Sequence, residues 1–494
     1  MTLSYKVRAK LSSLIQGEKG TIKKVFGTVP AVAICFPNSY YLGASNLGVH
    51  FLYDYINQRE DFLAERVFAE TLPPVSLENL QPLNRFDIIM FSLSYELDFA
   101  GVLSFLKTSG IPVNRRDRSP DDPLVIAGGV AISMNPYPLS DVIDLFIIGD
   151  GEETLPLFLE TFSEARGDKH SIFSYLQGKT GFLIASDSDS GDPVDIPRSM
   201  CSNLDNYPLA SVFSSRDTEF ADTCLVEITR GCPYRCNFCY VGHNQDPFRT
   251  RSLDSIIKIV EQKHKTIDRF GFISSAVTSH PDINTLCKWC VDRNLRISFS
   301  SIRAENVSSP ILQLLRQSGQ KTLTIAPESG SERFRKCLNK NIQNGAILET
   351  VERSLELGFT NLKMYFILGL PGEGEKEIQA TVDFINQVQK LFVERGKKRG
   401  FLGDIIISAG FFVPKPGTPF ATAPNPNPTS LRKKQKFFRD SLRRLPHVKI
   451  QTSDPYEALA QSYLSRRGRE MVELLLKKVD MRLSWKAAIK KWLS

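Results

Sequence analysis

The stretch CLVEITRGCPYRCNFCYVGH, Cys224 to His243, joins a short apolar strand to a loop with three closely spaced cysteines. Cys232, Cys236 and Cys239 lie within eight residues, and His243 follows four positions after the last of them. Thiolates are ligands for soft metals, and a C-x3-C-x2-C loop can bind a cubane cluster and leave one iron without a protein ligand. The spacing therefore predicts a metal centre directly after a strand.

Zinc is the alternative metal for this loop, because His243 completes a set of three cysteines and one histidine within twelve residues. Isolated zinc modules normally place a longer spacer between two ligand pairs, so the spacing favours a cluster, with His243 as a loop residue near the substrate. A second CxxC, Cys287 and Cys290, has helical apolar spacing. We interpret its thiols as buried helix residues.

The cysteine loop lies within a series of alternating strands and helices. Six strands with helical crossovers predict a (β/α)6 partial barrel over residues 223–425, with the cysteines at the face where barrel enzymes assemble their sites. These strands are Cys224–Arg230, Gly271–Ala276, Arg296–Ser301, Thr322–Ala326, Asn361–Ile367 and Asp404–Phe412.

An earlier series of short apolar strands and helices predicts an N-terminal α/β domain with a doubly wound parallel sheet over residues 30–185. Such sheets bind ligands beyond the carboxyl ends of their strands. Glycines and small polar residues stand at these ends, in the segments PNSYYLG, SLSYE, GGVA and GDGEE. The strands are Ala31–Phe36, Phe86–Ser94, Pro123–Gly129 and Val142–Glu153.

Charge and polar composition mark the remaining regions. Residues 1–29 are a basic N-terminal extension, residues 186–222 form a polar linker, and residues 426–494 are a basic, mainly helical C-terminal region. The net charge of +8 comes from residues 431–494, where 17 lysines and arginines face 6 acidic residues. Helical spacing favours a solvated amphipathic face, and the alternative is an anionic partner such as RNA, an acidic protein or a phosphorylated substrate.

Cysteine usage and hydropathy predict the compartment. Nine cysteines, an odd number spread over 494 residues, argue against a disulfide framework and fit a reducing environment. The longest apolar runs are far shorter than the roughly 20 residues of a membrane span, and the basic N-terminus lacks the features of a secretion signal. We expect a cytoplasmic protein.

The motif CPYRCNFC, after the first strand of a six-stranded partial barrel, resembles the radical S-adenosylmethionine (SAM) superfamily. The resemblance implies that Cys232, Cys236 and Cys239 hold a four-iron, four-sulfur cluster whose free iron binds the amino and carboxylate groups of SAM. It also implies a reducing electron donor, such as flavodoxin or ferredoxin, and cleavage of SAM to a 5′-deoxyadenosyl radical.

Other strand ends match this family in order. The resemblance assigns Phe238 to the adenine, Ser274 and Ser275 in ISSAV to the SAM amino group, and Arg303 in SSIRAE to the SAM carboxylate, which a forked guanidinium suits. In APESGSER it assigns Glu328 to the ribose hydroxyls. The segment YFILGLPGE resembles the family's adenine-contact motif, with Ile367 and Gly369 in place but Tyr365 where a glycine is often found.

The N-terminal region, with GGVAISMNPYPLSDVIDLFIIGDGEETL, resembles the cobalamin-binding domain fused to many radical SAM enzymes. Many such domains carry D-x-H-x-x-G, whose histidine coordinates cobalt, and here the turn reads NSYYLG, with Tyr40 at the histidine position. A neutral phenol, with a reference pKa of about 10, is a poor cobalt ligand. We expect cobalamin to bind with its base displaced and Tyr40 shielding its lower face; the alternative is a domain that has lost cobalamin. The implied contacts are Asn38, Tyr40, Gly43, Ser92, Gly128, Gly129, Gly149 and Glu152.

The resemblance implies a function but no substrate, since the most similar group is an uncharacterised bacterial one. The commonest reaction of the cobalamin subgroup is methyl transfer to an unactivated carbon, in which one SAM supplies the methyl group and another the radical. A radical rearrangement, cyclisation or reduction without cobalamin is the alternative among enzymes. A zinc-stabilised nucleic-acid-binding protein that uses the basic C-terminal region is the alternative of another class.

Overall fold

The computed structural model describes residues 4–185, 196–299 and 302–494. The first ten residues of the expected linker, 186–195, and the last two of the expected strand Arg296–Ser301 lie outside these ranges. The chain forms two compact units: unit 1 comprises residues 1–223 and 463–494, and unit 2 comprises residues 224–462. No helix in the described ranges is long and apolar enough to cross a membrane.

Unit 1 contains a six-stranded sheet in the order β2-β1-β3-β4-β5-β6, in which β1 to β5 are parallel and β6 runs antiparallel to β5. Because β1 lies between β2 and β3, the strand order reverses direction at β1, which is where such sheets open a crevice for a ligand. The strands are β1 Ala31–Phe36, β2 Leu63–Phe68, β3 Ile88–Ser92, β4 Leu124–Gly128, β5 Leu145–Ile147 and β6 Phe182–Ile184.

Two strands of this sheet, β2 and β6, were not predicted. Every residue of β2 is buried, yet its sequence LAERVF carries two charges, so it does not read as an apolar strand. The charge of Arg66 is compensated inside the unit: its guanidinium pairs with Glu18 at 2.7 Å and with Glu78 at 2.6 Å, and all three side chains are essentially inaccessible. The rings of Tyr53 and Phe213 lie 4.5 and 3.9 Å from the same guanidinium carbon. Glu65 accepts from the Asn79 amide, and burial raises the pKa of Glu65.

Most helices of unit 1 that precede residue 224 pack apolar residues against the buried strands. Glu18 and the helix α1 belong to the expected N-terminal extension, so that segment contributes to the core of unit 1. The helices are α1 Tyr5–Gln16, α2 Tyr40–Gly43, α3 Leu47–Gln58, α4 Phe99–Thr108, α5 Val130–Met134, α6 Gly151–Glu164 and α7 Lys169–Leu176.

Unit 2 contains two parallel sheets, β11-β10-β7 and β12-β13-β14-β15, and a short antiparallel ribbon of β8 and β9. A parallel bridge between Ile302 and Ile325 connects the two sheets. The strands are β7 Cys224–Glu227, β8 Thr229–Arg230, β9 Arg249–Thr250, β10 Arg269–Ile273, β11 Arg296–Phe299, β12 Thr322–Glu328, β13 Asn361–Leu368, β14 Ile405–Phe411 and β15 Val448–Thr452. The prediction of an α/β fold with parallel sheets is confirmed.

Burial alternates along β13. Leu362, Met364, Phe366 and Leu368 are buried, whereas Lys363, Tyr365 and Ile367 point to the opposite side, which we call the inner face. Strand β14 alternates in the same way and places Ser408 and Gly410 on the inner face beside β13. The helices of unit 2 are α8 Val241–Asn244, α9 Leu253–His264, α10 Ile283–Asp292, α11 Ser309–Gln317, α12 Glu332–Cys337, α13 Asn344–Glu356, α14 Glu375–Arg399 and α15 Pro428–Leu442, followed by α16 Pro455–Arg466 at the unit boundary.

The C-terminal region is less uniform than the mainly helical stretch expected for residues 426–494. It contributes β15 to the sheet of unit 2, where alternate residues are only half-buried and give a weak strand signal among basic residues. After α16 it returns to unit 1 as α17 Met471–Asp480 and α18 Trp485–Leu493. There the Asn135 amide donates to the backbone oxygens of Leu464 and Arg467, at 3.0 and 2.7 Å.

Candidate active site

The loop with the three cysteines follows β8 directly. Gly231, just before Cys232, has φ +79°, and a Cβ atom there would lie 2.3 Å from the backbone oxygen of Gln245, so only glycine fits this turn. Asn237 attaches the loop to the end of α12, because its backbone N–H donates to the Leu338 oxygen and its amide donates to the Cys337 oxygen, both at 2.9 Å. Cys236 is buried, and Cys232 and Cys239 are half-buried.

His243 supports the loop through a hydrogen bond. Its Nε2 lies 3.1 Å from the backbone oxygen of Cys236, and since a carbonyl only accepts, this nitrogen carries the proton and donates. Within the described ranges, no group of three or more His, Cys, Asp or Glu residues is arranged to hold a single metal ion. The side chains of Cys232, Cys236, Cys239 and His243 therefore do not surround one common point in this structure, as the ligands of a single zinc ion would. A cubane binds each thiolate at a different iron, so its ligands need not meet at one point.

The thiols lie in a setting that suits metal ligation. Burial raises the pKa of Cys232 and Cys236, and the nearby positive charges of Lys340 and Arg303 oppose this effect at Cys236. One Arg303 nitrogen, Nη1, lies 3.9 Å from the Cys236 sulfur. A metal that replaces the thiol proton removes the cost of a buried thiolate, so three thiols beside two cations fit an iron-sulfur cluster.

Arg303 is fixed beside the cysteine loop. Its Nε donates to Glu305 Oε1 at 2.7 Å, and its guanidinium carbon lies 3.7 Å from the ring of Tyr234. Burial disfavours the charged form, but the charge of Glu305 and the contact with Cys236 outweigh it, so the pKa of Arg303 is raised. A guanidinium next to the predicted cluster is placed to bind an anionic group there.

Glu328 ends β12 in a strained conformation. Its φ of +65° is rare for a residue other than glycine, and the register between β12 and β13 shifts just before it. The buried Glu328 carboxylate accepts from Lys340 Nζ at 2.8 Å. Glu328 also lines a cavity of about 440 Å³ together with residues at the ends of β13, β14 and β15. The predicted ribose contact is thus held beside an open cavity.

Two predicted adenine contacts, Phe238 and Ile367, lie in one small apolar cluster with Phe334, Leu338, Leu370 and Phe412. Gly369 follows with φ +82°, and a Cβ atom there would lie 2.4 Å from a methyl carbon of Leu431. Its N–H donates to Glu373 Oε2 at 2.6 Å. Gly369 is therefore required by the turn.

The two serines after β10 differ in their surroundings. The Ser274 hydroxyl pairs with the Thr229 hydroxyl and accepts from the Ala276 N–H at 2.9 Å, so it connects the ends of β8 and β10. Ser275 is exposed. Their role at the SAM amino group stays a prediction.

Tyr40 does not have the position expected for it. Its side chain is buried in the core of unit 1, its hydroxyl donates to Glu18 Oε1 at 2.6 Å, and its ring meets Phe68 edge-on at 5.3 Å. Burial and the negative charge of Glu18 raise the pKa of Tyr40. The reason is that α2 begins at this residue and turns it inward, leaving the next residue, Tyr41, 50% exposed.

The expected glycines at the strand ends of unit 1 are explained by packing. A Cβ atom would lie 2.4 Å from the Phe68 ring at Gly43, 2.5 Å from the Leu93 oxygen at Gly129, and 2.1 Å from the Ser199 oxygen at Gly149. At Gly128 the nearest atom, in the side chain of Ile147, is 3.4 Å away. Ser92 and Glu152 are buried.

Asn38 lies in the turn after β1, and its side chain contacts Asp98, the residue before α4. Its amide donates to Asp98 Oδ1 at 3.0 Å. Burial raises the pKa of Asp98 to about 6, with the amide of Asn38 opposing the shift and the charge of Glu96 adding to it. Asn38 and Asp98 thus form a polar pair at the carboxyl ends of β1 and β3.

Two protein-family models match the chain. The model described as "Radical SAM proteins, N-terminal" matches residues 48–182, and that of the radical SAM superfamily matches residues 226–385, the part that contains the cysteine loop. Together they match more than half of the chain.

This chain belongs to the radical SAM superfamily. It is therefore an enzyme, and the superfamily's cofactors are a 4Fe–4S cluster and SAM.

Relatives and solved structures extend over both units. An uncharacterized protein of Methanocaldococcus jannaschii is 27% identical over 447 residues, 90% of each chain. The radical SAM methyltransferase TsrM of Kitasatospora setae, solved with cobalamin and a [4Fe-4S] cluster, has a TM-score of 0.54 at 13% identity, covering 94% of this chain and 99% of TsrM. OxsB, a cobalamin-dependent SAM radical enzyme, has a TM-score of 0.50 at 16% identity, covering 94% of this chain and 70% of OxsB. At these identities the structures show a shared fold.

Four residues of the site were not predicted: Tyr234, Asn237, Glu305 and Lys340. Their contacts join segments that are distant in sequence, as Lys340 does when it pairs with Glu328 at the end of another element. No spacing in the sequence indicates such pairs. Only Glu305, two positions after Arg303 in SSIRAE, carried a local signal.

The contact of Arg303 with the cysteine loop gives a first prediction. Arg303→Met in cluster-loaded protein should weaken SAM binding by roughly 30-fold, since a buried charge pair that loses one partner costs about 2 kcal/mol or more. Equilibrium dialysis with labelled SAM measures this. Arg296→Met is the matched control, because Arg296 forms an exposed pair with Asp268. Unchanged SAM affinity in Arg303→Met would contradict the assignment of Arg303 to the SAM site.

Proposed function

We propose that the chain cleaves SAM reductively in unit 2 and, with cobalamin, transfers a methyl group to an unactivated carbon. One observation carries the first part: Arg303 reaches the thiol of Cys236. The predicted carboxylate contact and a predicted cluster ligand, 67 positions apart in sequence, are thus within 3.9 Å of each other.

The side chains of unit 2 have distinct tasks in this proposal. Cys232, Cys236 and Cys239 hold the cluster, which when bound supplies the electron that cleaves SAM to methionine and a 5′-deoxyadenosyl radical. Arg303 binds the SAM carboxylate through its fork of N–H donors. Glu328 accepts hydrogen bonds from the ribose, while Lys340 Nζ donates to Glu328 Oε1 at 2.8 Å and orients the carboxylate.

The remaining predicted contacts orient the two ends of SAM. Phe238 and Ile367 offer apolar surface for the adenine, supported by their common cluster. Ser274 and Ser275 take the SAM amino group. The turn at Gly369 brings its backbone close to the adenine, with its N–H already held by Glu373.

We also assign the finer architecture. The two parallel sheets of unit 2, with the bridge between Ile302 and Ile325, support a (β/α)6 partial barrel to which β15 adds a seventh strand. In unit 1 the strand order around β1 supports a Rossmann-like sheet of the cobalamin-binding type over residues 30–185.

The carboxyl edge of unit 1 suits a large apolar ligand. Three side chains are exposed there: Tyr41 and Leu42 in α2, which follows β1, and Tyr95 in the turn after β3. Exposed apolar residues at a strand-order reversal are typical of a binding edge. Cobalamin, when bound, supplies one-carbon transfer chemistry. The cobalamin bound in TsrM and OxsB, which share this fold, supports the same cofactor here.

Cobalamin would bind without a nitrogen ligand from the turn after β1. Tyr40 is buried on Glu18, and both nitrogens of His50 are engaged, Nε2 at 3.0 Å from the Ala44 oxygen and Nδ1 accepting from the Val212 N–H at 3.0 Å. We therefore keep the proposal that cobalamin binds with its base displaced, but we no longer assign Tyr40 to shield its lower face.

An EPR spectrum tests this model. After reconstitution with hydroxocobalamin and removal of free cofactor, the cobalt(II) form should show no hyperfine splitting from a lower-face nitrogen. Nitrogen splitting would contradict the unligated model. Failure to retain any cobalamin would favour the rearrangement, cyclisation or reduction that needs none.

Product analysis tests methyl transfer itself. Cluster-loaded protein is incubated with SAM and a chemical reductant, with and without cobalamin, and S-adenosylhomocysteine and 5′-deoxyadenosine are quantified. Methyl transfer predicts S-adenosylhomocysteine only with cobalamin. Formation of 5′-deoxyadenosine alone in both samples would favour the cobalamin-independent reaction.

The cell must supply a low-potential electron donor, for which flavodoxin or ferredoxin has the required chemistry. All nine cysteines lie in the described ranges and none forms a disulfide, which supports a reducing compartment such as the cytoplasm. An anionic partner at the basic C-terminal region stays a secondary proposal.

A further inference from the structure

A polar row crosses the inner face of β13, β14 and β15. Tyr365, Ser408 and Gln451 are register partners on these neighbouring strands, and all three line the cavity of about 440 Å³ beside Glu328. Two of the three are hydroxyls and the third is an amide, so the row offers hydrogen-bond donors and acceptors to whatever enters the cavity.

Lys363 lies one step earlier on the same face. It is half-buried, and its Nζ lies 5.0 Å from the centre of the Tyr365 ring. Across the described ranges it forms no ion pair, in contrast to Lys449, which shares its row through β14 and pairs with Asp404 at 2.7 Å. A half-buried ammonium group without a carboxylate partner can take a bound anion as its partner.

We infer that this row is the substrate site and that Lys363 binds an anionic oxygen group of the substrate, a carboxylate or a phosphate. Tyr365, Ser408 and Gln451 then hold polar groups next to it. The inference rests on the proposed function, because the cavity must lie beside the SAM contact Glu328 for the radical to reach the substrate. Tyr365 in place of the family's frequent glycine becomes part of this site and supports Lys363 through its ring.

Two anions serve as probes. Radiolabelled inorganic phosphate and succinate are dialysed separately against cluster-loaded, SAM-bound protein. Binding of phosphate alone identifies a phosphate-bearing substrate, and binding of succinate alone a carboxylate. We expect Lys363→Met to lower the affinity for the anion by roughly 30-fold, whereas Lys363→Arg should keep this affinity within about threefold of wild type. Lys449→Met, the control with a paired lysine, should change nothing.

Formation of 5′-deoxyadenosine from SAM without substrate is measured on the same samples. If wild type makes none, the proposed function fails. If wild type makes it but binds neither anion, or if Lys363→Met binds the anion as well as wild type, the inference about Lys363 is overturned alone. Weaker SAM binding in Lys363→Met would overturn it too, since Lys363 would then bind the carboxylate of SAM.

Discussion

Simultaneous replacement of Cys232, Cys236 and Cys239 by alanine is expected to abolish iron binding and reduce 5′-deoxyadenosine formation to background. The proposed function makes these three thiolates the protein ligands of the cluster, so their loss removes its attachment to the chain. The loop should keep its shape, because it is attached through backbone and amide contacts of Asn237 and through His243 on the Cys236 backbone oxygen. Iron content, circular dichroism and product formation with dithionite measure the outcome.

Cys337→Ala is the matched control. Cys337 is an exposed thiol at the end of α12, and its backbone oxygen, which alanine keeps, accepts from the Asn237 amide. This variant should keep both iron and activity. A triple variant that still makes 5′-deoxyadenosine would contradict the cluster assignment, and one that loses its secondary structure would show that the thiols are needed for folding.

The second large effect concerns stability. Arg66→Met should lower the free energy of unfolding of unit 1 by about 3–5 kcal/mol, the usual cost of removing one member of a buried ion pair. It leaves the carboxylates of Glu18 and Glu78 buried without their cation. Urea unfolding followed by tryptophan fluorescence measures this in a Trp289→Phe background, in which Trp485 and Trp492 both report on unit 1.

The matched control is Arg59→Met, which breaks a partly exposed pair with Asp61 and should cost less than about 1 kcal/mol. The pH dependence of stability should differ between wild type and Arg66→Met. Burial raises and the charge of Arg66 lowers the pKa of Glu18, with a net decrease from 4.5. Wild type therefore loses stability as the pH falls below that value, because the unfolded chain takes up the proton first.

Without Arg66, burial dominates and the folded pKa of Glu18 should rise above its unfolded value. The deficit of Arg66→Met should then shrink as the pH falls, because protonation removes the buried charge. An equal deficit at pH 7 and pH 4 would show that the guanidinium acts through packing against Tyr53 and Phe213.

Regular apolar strands and short motifs made much of this fold predictable. The strands β1, β3, β4 and β5 are continuous buried runs, and the spacing of the three cysteines was enough to locate the candidate site. Strand β2 was missed because it carries two charged residues, and the partners that allow Arg66 to be buried, Glu18 and Glu78, lie outside the strand. Strand β15 was missed because half-exposed alternate residues among lysines and arginines resemble a polar helix or loop.

The orientation of single side chains was the least predictable part. The motif spacing puts Tyr40 at a cobalt ligand's position, but whether a side chain there turns outward depends on the buried acceptor Glu18, which lies in another segment. The family resemblance indicated Arg303 and Glu328, and the structure places Arg303 after β11 and Glu328 at the end of β12. Their contacts with SAM stay predictions.

The order in which the two units are encoded has a consequence for synthesis on the ribosome. Residues 463–494 of unit 1 emerge only after the whole of unit 2, a delay of roughly 10–50 s at 5–20 residues per second. Until then α4 lacks the cover of α17, the buried Glu96 lacks the hydroxyl of Ser465, and the Asn135 amide lacks both of its acceptors. The N-terminal segment of unit 1 therefore cannot complete its packing until unit 2 has been synthesised. A chain that stalls within unit 2 would leave unit 1 and unit 2 both incomplete and accessible to chaperones and proteases.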